Sequence, residues 1–92
     1  DDFVLRIKPN PSRVNRTLIE YVIPVQSNVN IMIYNSLGQN IETLVNRRKR
    51  AGTYTVVWDG SDNFGKKVPA GVYFITFETE ENKQTEKLLF MR

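Results

Sequence analysis

Cysteine and histidine are both absent from this 92-residue chain. Without cysteine there is neither a disulfide nor a thiolate-held metal, so a domain this short must be held by packing and hydrogen bonds alone. Without histidine the commonest general base and zinc ligand are gone, and with them every Ser-His or Cys-His nucleophile pair. Ordinary hydrolase chemistry is therefore not expected. Long apolar runs are missing too, since no window approaches the ~18 apolar residues of a membrane-spanning helix. The opening DDFVLR does not have the form of a signal peptide, so a mature fragment or excised module is expected. No segment sustains helical periodicity, and no internal repeat, low-complexity tract or linker breaks the chain.

What is present is the composition of a single globular module spanning residues 1–92: 40% hydrophobic, 25% charged and 11% aromatic. A chain of this size buries only about 60–65% of the surface exposed on unfolding, which predicts one small core. The net charge of +3 is unevenly spread, with eight basic against four acidic residues in 1–50 and five against six in 51–92. Most of the excess lies in NRRKRAG. Nucleic-acid binding calls for charge spread over a face with aromatics interleaved, and this charge is one run. Arg47, Arg48, Lys49 and Arg50 are expected to form a solvated loop, open to trypsin-like nicking, because like charges repel.

Period-two alternation dominates the chain and predicts an all-β antiparallel sandwich. In TLIEYVI the inward residues are Ile19, Tyr21 and Ile23, with Glu20 outward; in NVNIMIY they are Val29, Ile31 and Ile33. GTYTVVW directs Tyr54, Val56 and Trp58 inward. GVYFITFET is apolar on both sides at first, which suits a central strand with Tyr73, Ile75 and Phe77 in the core. EKLLFMR follows with Leu88 and Phe90 inward. Turn signals recur about every ten residues, at Asn35 to Gly38 with Gly38 available for positive φ, and at Thr79 to Gln84. QNIETLVNRR places Ile41, Leu44 and Val45 at helix-like offsets, yet its length suits a short strand or a single turn. KPNPSR ends the first strand, expected around Val4 to Ile7, because each proline fixes its φ and withholds a ladder donor.

The stretch WDGSDNFGKKVPAGVYF is the best candidate for chemistry. Asp59, Asp62 and Asn63 offer oxygen ligands at calcium-loop spacing, but position twelve counted from Asp59 is Ala70 where a calcium loop needs glutamate. The favoured expectation is structural, with Asp59 and Asp62 capping turns, Gly60 and Gly65 at positive φ, and Trp58 a core anchor whose indole N–H needs a backbone partner. Glu78, Glu80, Glu81 and Glu86 gather near one hairpin, and a wet hairpin tip does not raise a carboxyl pKa. No catalytic, cofactor or metal site is expected.

Taken in order, KPNP, IEYVIP, VNIMIYNSLGQNIETLV, AGTYTVVWDGSDNFGKKVPAGVYFITF and KLLFMR resemble the type A C-terminal sorting domain of the type IX secretion system. The resemblance covers nearly the whole chain. It rests on Pro9, Asn10 and Pro11; on Tyr34, Asn35 and Gly38; on Ala51 and Gly52; on Trp58, Asp59 and Gly60; on Gly71 to Phe74; and on Lys87 to Arg92. Members often carry an aromatic soon after Pro-Asn-Pro, where Ser12 and Arg13 stand here. The resemblance implies a seven-stranded immunoglobulin-like sandwich that is not an enzyme and acts as an address on an upstream cargo domain in Bacteroidetes-like bacteria. Its implied partners are the outer-membrane translocon and sortase-like machinery. Its implied route is the periplasm in transit, then the outer-membrane surface or the extracellular space. The residues implied for translocon recognition are Lys87, Leu88, Leu89, Phe90, Met91 and Arg92. An edge strand at that position has unpaired N–H and C=O groups that can extend a partner's sheet.

The same order of motifs is similar to the Ig-like domain of the flagellar hook-capping protein and to accessory sandwiches beside glycoside hydrolases. That resemblance implies a spacer or carbohydrate-binding module instead. A sugar site needs a row of exposed aromatics on one sheet face, for which Tyr34 and Phe74 are the outward candidates.

Overall fold

The computed structural model of the chain describes residues 2–9 and 16–92. Seven strands follow one another: β1 (Val4–Pro9), β2 (Thr17–Ile23), β3 (Ser27–Asn35), β4 (Asn40–Lys49), β5 (Gly52–Trp58), β6 (Gly71–Glu78) and β7 (Lys83–Phe90). They form two antiparallel sheets, one of three strands in the order β1-β2-β5 and one of four in the order β4-β3-β6-β7. This is the all-β sandwich that the alternation predicts, with the seven strands and immunoglobulin-like form that the resemblance implies. Among the described residues there is no helix.

The alternation builds the core directly. Ile19, Tyr21 and Ile23 of β2 are buried, as are Val29, Ile31 and Ile33 of β3, Tyr73, Ile75 and Phe77 of β6, and Leu88 and Phe90 of β7. Aromatic pairs join the two sheets: Tyr21 to Phe77 at 5.7 Å, Trp58 to Tyr73 at 5.3 Å and Trp58 to Phe90 at 4.8 Å between ring centroids. Each fully buried large side chain stabilises the fold by about 1.5–3 kcal/mol, and each aromatic pair adds about 0.5–1.5 kcal/mol. That is how a chain with no disulfide holds together. Tyr54 and Val56 face inward as expected but stay half-buried, because β5 is an edge strand.

Three expectations need correction. β1 runs on to Pro9 instead of stopping at Ile7, paired with β2 through Pro9 opposite Thr17. Proline is tolerated there because β1 is an edge strand, and it closes the strand as its last residue. QNIETLVNRR becomes β4, ten residues long, and not a short strand or single turn. The basic run is not a loop: Arg47, Arg48 and Lys49 pair with Val29, Asn28 and Ser27, and only Arg50 leaves the strand. Strand alternation separates these charges. Arg48 reaches Glu80 at 3.2 Å and Asn28 at 3.3 Å, while Lys49 lies 4.7 Å from the centre of the Tyr54 ring. Of the opening motif, Asn10 and Pro11 lie outside the described residues.

Strand pairing also sorts the connections. Residues 24–26, 50–51 and 79–82 turn at one end of the sandwich. Residues 35–39, the long loop 59–70 and the chain terminus meet at the other.

Candidate functional site: the terminal edge strand and the loop it closes

Among the described residues β7 is hydrogen-bonded to β6 alone, so there the other rim of its backbone has no strand partner. Its last residues divide into two groups. Leu88 and Phe90 point inward and are buried, Phe90 lying against both Trp58 and Tyr73. Lys87 and Leu89 point outward, opposite Phe74 and Val72 of β6, and Leu89 is 65% exposed. Met91 is exposed as well. Arg92 turns back instead. Its Nε donates to the carbonyl of Val68 at 2.6 Å, an Nη donates to the carbonyl of Gly60 at 3.2 Å, and the guanidinium lies 5.3 Å from the centre of the Phe90 ring. The six residues implied for recognition are thus three outward side chains, Lys87, Leu89 and Met91, and three that anchor the strand, Leu88, Phe90 and Arg92.

The loop that Arg92 grips begins at Trp58, which is fully buried and whose indole N–H donates to the carbonyl of Ser61 at 2.9 Å. Asp59 accepts from both the backbone N–H and the hydroxyl of Ser61. That hydroxyl, chiefly, holds the Asp59 carboxyl below its ordinary pKa, because hydrogen bonds to the ionised form favour it. Asp62 accepts from the backbone N–H groups of Phe64 and Lys66, each at 2.9 Å. Both carboxylates therefore cap turns, as expected, and each is directed at its own loop backbone. Among the described residues no group of three acidic side chains converges as a metal site would require. Gly60 has φ 79°, and a Cβ there would fall on the ring of Phe90. This close approach ties the Trp-Asp-Gly segment to the terminal strand.

Most of the described motif residues gather at this end of the molecule, with Ala51 and Gly52 at the other. Tyr34 is next to last in β3, Gly38 sits in the following turn at φ 82°, Trp58 to Gly60 lead into the long loop and Gly71 starts β6. Pro9 ends β1 at the same end, opposite Thr17. Between the turn and the loop lies an open groove of about 280 Å³, lined by Leu37, Ile41, Val68, Pro69 and Tyr73 among others. The Tyr73 hydroxyl, on the groove wall, donates to the carbonyl of Pro69 at 2.7 Å. Tyr34 and Phe74 are direct cross-strand partners on the outer face, and both are half-buried. Glu80, in the acidic hairpin, accepts from the Asn28 N–H at 3.0 Å and from Arg48. Hydrogen bonds from its own N–H and from that of Asn28 hold its pKa low.

The sequence offers Asn63 only as an oxygen ligand, and the structure gives it another task. Asn63 donates its N–H to the carbonyl of Ile41 at 2.9 Å and accepts from the N–H of Thr43 at 3.1 Å. Its amide also donates to Asn40 at 3.2 Å. It closes the edge of β4 just where that strand is irregular, and an amide in a turn gives no hint of so distant a partner.

Residues 16–83 match the FlgD Ig-like domain family. This chain belongs to the FlgD Ig-like domain family. The match ends at the first residue of β7, so most of the terminal strand lies beyond it. Among solved structures the chain is similar to FlgD from P. aeruginosa, with a TM-score of 0.62 and 25% identity over 80% of this chain. The alignment covers 57% of that FlgD chain, a little more than half its length. A comparison with curated proteins finds no match. Membership makes the domain an Ig-like module of a family built for structure and not for catalysis.

Proposed function

We propose that this Ig-like module is a non-catalytic sorting signal, read by the outer-membrane translocon of type IX secretion and carried at the C-terminal side of a cargo domain. The observation that supports this reading best is the division of labour along β7. Leu88 and Phe90 root the strand in the core while Lys87, Leu89 and Met91 project beside an unpaired backbone rim. A receptor strand can add to such a rim through main-chain hydrogen bonds and take its specificity from alternate side chains. The route that goes with it is export to the periplasm, then delivery to the outer-membrane surface or beyond, with sortase-like machinery as the later partner.

The test is secretion of the cargo carrying this domain. Removing Lys87 to Arg92 abolishes secretion, but that deletion also takes core residues away. Leu89→Asp with Lys87→Glu leaves the core intact and changes only the outward face. The expected result is a folded domain whose cargo stays in the periplasm, and normal secretion of both variants removes the proposal. A second reading, an Ig-like accessory or assembly module with no export role, is favoured by the likeness to FlgD. Under that reading both variants are secreted as the parent is.

A further inference from the structure

The loop of residues 59–70 touches both edges of the four-stranded sheet. Its neck is drawn together by a hydrogen bond from the Val68 N–H to the Gly60 carbonyl at 2.9 Å, and Arg92 donates to the carbonyls of both residues. Phe90 fills the space beside Gly60 that a Cβ would need. The neck is thus held from the end of β7. The tip of the same loop meets β4, the other edge of that sheet. There Asn63 gives its backbone N–H to the Ile41 carbonyl at 2.9 Å and takes the Thr43 N–H on its Oδ1 at 3.1 Å. A carbonyl and an N–H side by side on the rim of an edge strand are the groups that an added strand would take. Asn63 covers both with a single residue.

The loop between neck and tip is stiff. Asp62 Oδ1 accepts from the N–H groups of Phe64 and Lys66 at 2.9 Å each, Gly65 N–H donates to the Asp62 carbonyl at 3.0 Å, and the Trp58 indole holds the Ser61 carbonyl at 2.9 Å. The turn across the groove is built on the same plan, with Asn35 Oδ1 accepting from the N–H groups of Leu37 and Gln39 at 2.9 and 3.0 Å. Asn63 reaches it too, since its side-chain amide donates to Asn40, just after that turn, at 3.2 Å. A slack loop would absorb a displacement of its neck, whereas a stiff one carries it to the tip.

We propose that this loop couples the two edges of the sheet, so that drawing Arg92 away from the neck unseals the β4 rim at Ile41 and Thr43. While the loop is closed, β4 has no free strand-pairing group at those two positions. A partner that takes the end of β7 together with Arg92 makes them available. The domain then offers its second edge only after its first is engaged. Such coupling is reciprocal, so the Asn63 seal steadies the Arg92 grip as much as the grip steadies the seal. The inference concerns contacts within this chain and does not rest on the sorting reading.

The test is amide hydrogen exchange of the 92-residue chain, followed residue by residue by NMR. The reporters at the tip are the N–H groups of Asn63 and Thr43. The reference is Thr79, whose N–H donates to the Asn82 carbonyl in the hairpin at the other end of the sandwich. Arg92→Ala removes two charge-assisted hydrogen bonds and is expected to speed exchange at both reporters by roughly tenfold or more, with Thr79 unchanged. Leu89→Ala, on the outward face of the same strand, leaves all three at the parent rate. In the reciprocal arm Asn63→Ala speeds exchange of the Val68 N–H at the neck. Arg92 and Asn63 are exposed side chains, so both variants keep the far-ultraviolet spectrum of the parent. Three results overturn the proposal: parent rates at Asn63 and Thr43 in Arg92→Ala; an equal rise at Thr79, which marks general loosening; or an unchanged Val68 in Asn63→Ala.

Discussion

At Gly60 the long loop and the terminal strand meet in a space that holds no Cβ. The clash with Phe90 and the positive φ add together there, whereas Gly65 has the same φ of 79° and open space around it. Gly60→Ala is therefore expected to lower the unfolding free energy by about 2–5 kcal/mol, and Gly65→Ala by only about 1–2 kcal/mol. Urea unfolding of the two variants side by side separates the steric cost from the backbone cost. At Asp59 the folded state prefers the ionised form, with its pKa below the ordinary 3.8. Its contribution to stability is present above that value and is lost as pH falls through the lowered one. In Asp59→Asn that part of the acid dependence disappears, so the urea midpoints of variant and parent converge as the pH falls below the ordinary 3.8. On the alkaline side the direction is opposite: burial raises the pKa of Tyr21 and Tyr73, and stability falls as pH climbs past 10.0 towards their ionisation in the folded state.

Among the strands, β7 sets two adjacent leucines in opposite surroundings. Leu88 is buried and Leu89 is largely exposed, so Leu88→Ala costs about 2–5 kcal/mol and Leu89→Ala stays within about 0.5 kcal/mol of the parent. Denaturation midpoints check this directly, and equal losses at both sites would contradict the assigned strand faces. Alternation alone made that face legible in the sequence, as it did for β2, β3 and β6. β4 was not legible, for a reason its register explains. Pairing with β3 shifts between Ile31 and Met32 and again between Ile33 and Tyr34, leaving Leu44 and Ile41 as inserted residues. Each bulge breaks the period of two, so the apolar positions 41, 44 and 45 imitate helical offsets. The basic run misled in another way, since repulsion in a free chain says nothing about charges that strand geometry sends to alternate sides. Trypsin is accordingly expected to cut the folded domain at Arg50 before Arg47 or Arg48, which mass spectrometry of early fragments detects.

For the molecule as a whole, most tertiary contacts join residues distant in sequence, as two sheets of interleaved strand order require. Folding followed by the fluorescence of buried Trp58 is expected to proceed as a single exponential on the millisecond to second scale. The site was legible where it depended on local chemistry: the caps by Asp59 and Asp62, the indole partner of Trp58 and the outward face at Lys87. It was not legible where it depended on assembly. The grip of Arg92 on Gly60 and Val68, the reach of Asn63 to β4 and the matched turns at Leu37 and Phe64 exist only once distant segments share one end of the sandwich. The outermost strand is sewn to its sheet along one seam and fastened near its end by the buried Phe90 ring and the Arg92 guanidinium. A sideways pull on that end is expected to open the seam stitch by stitch, with the Arg92 clasp giving before the buried Phe90.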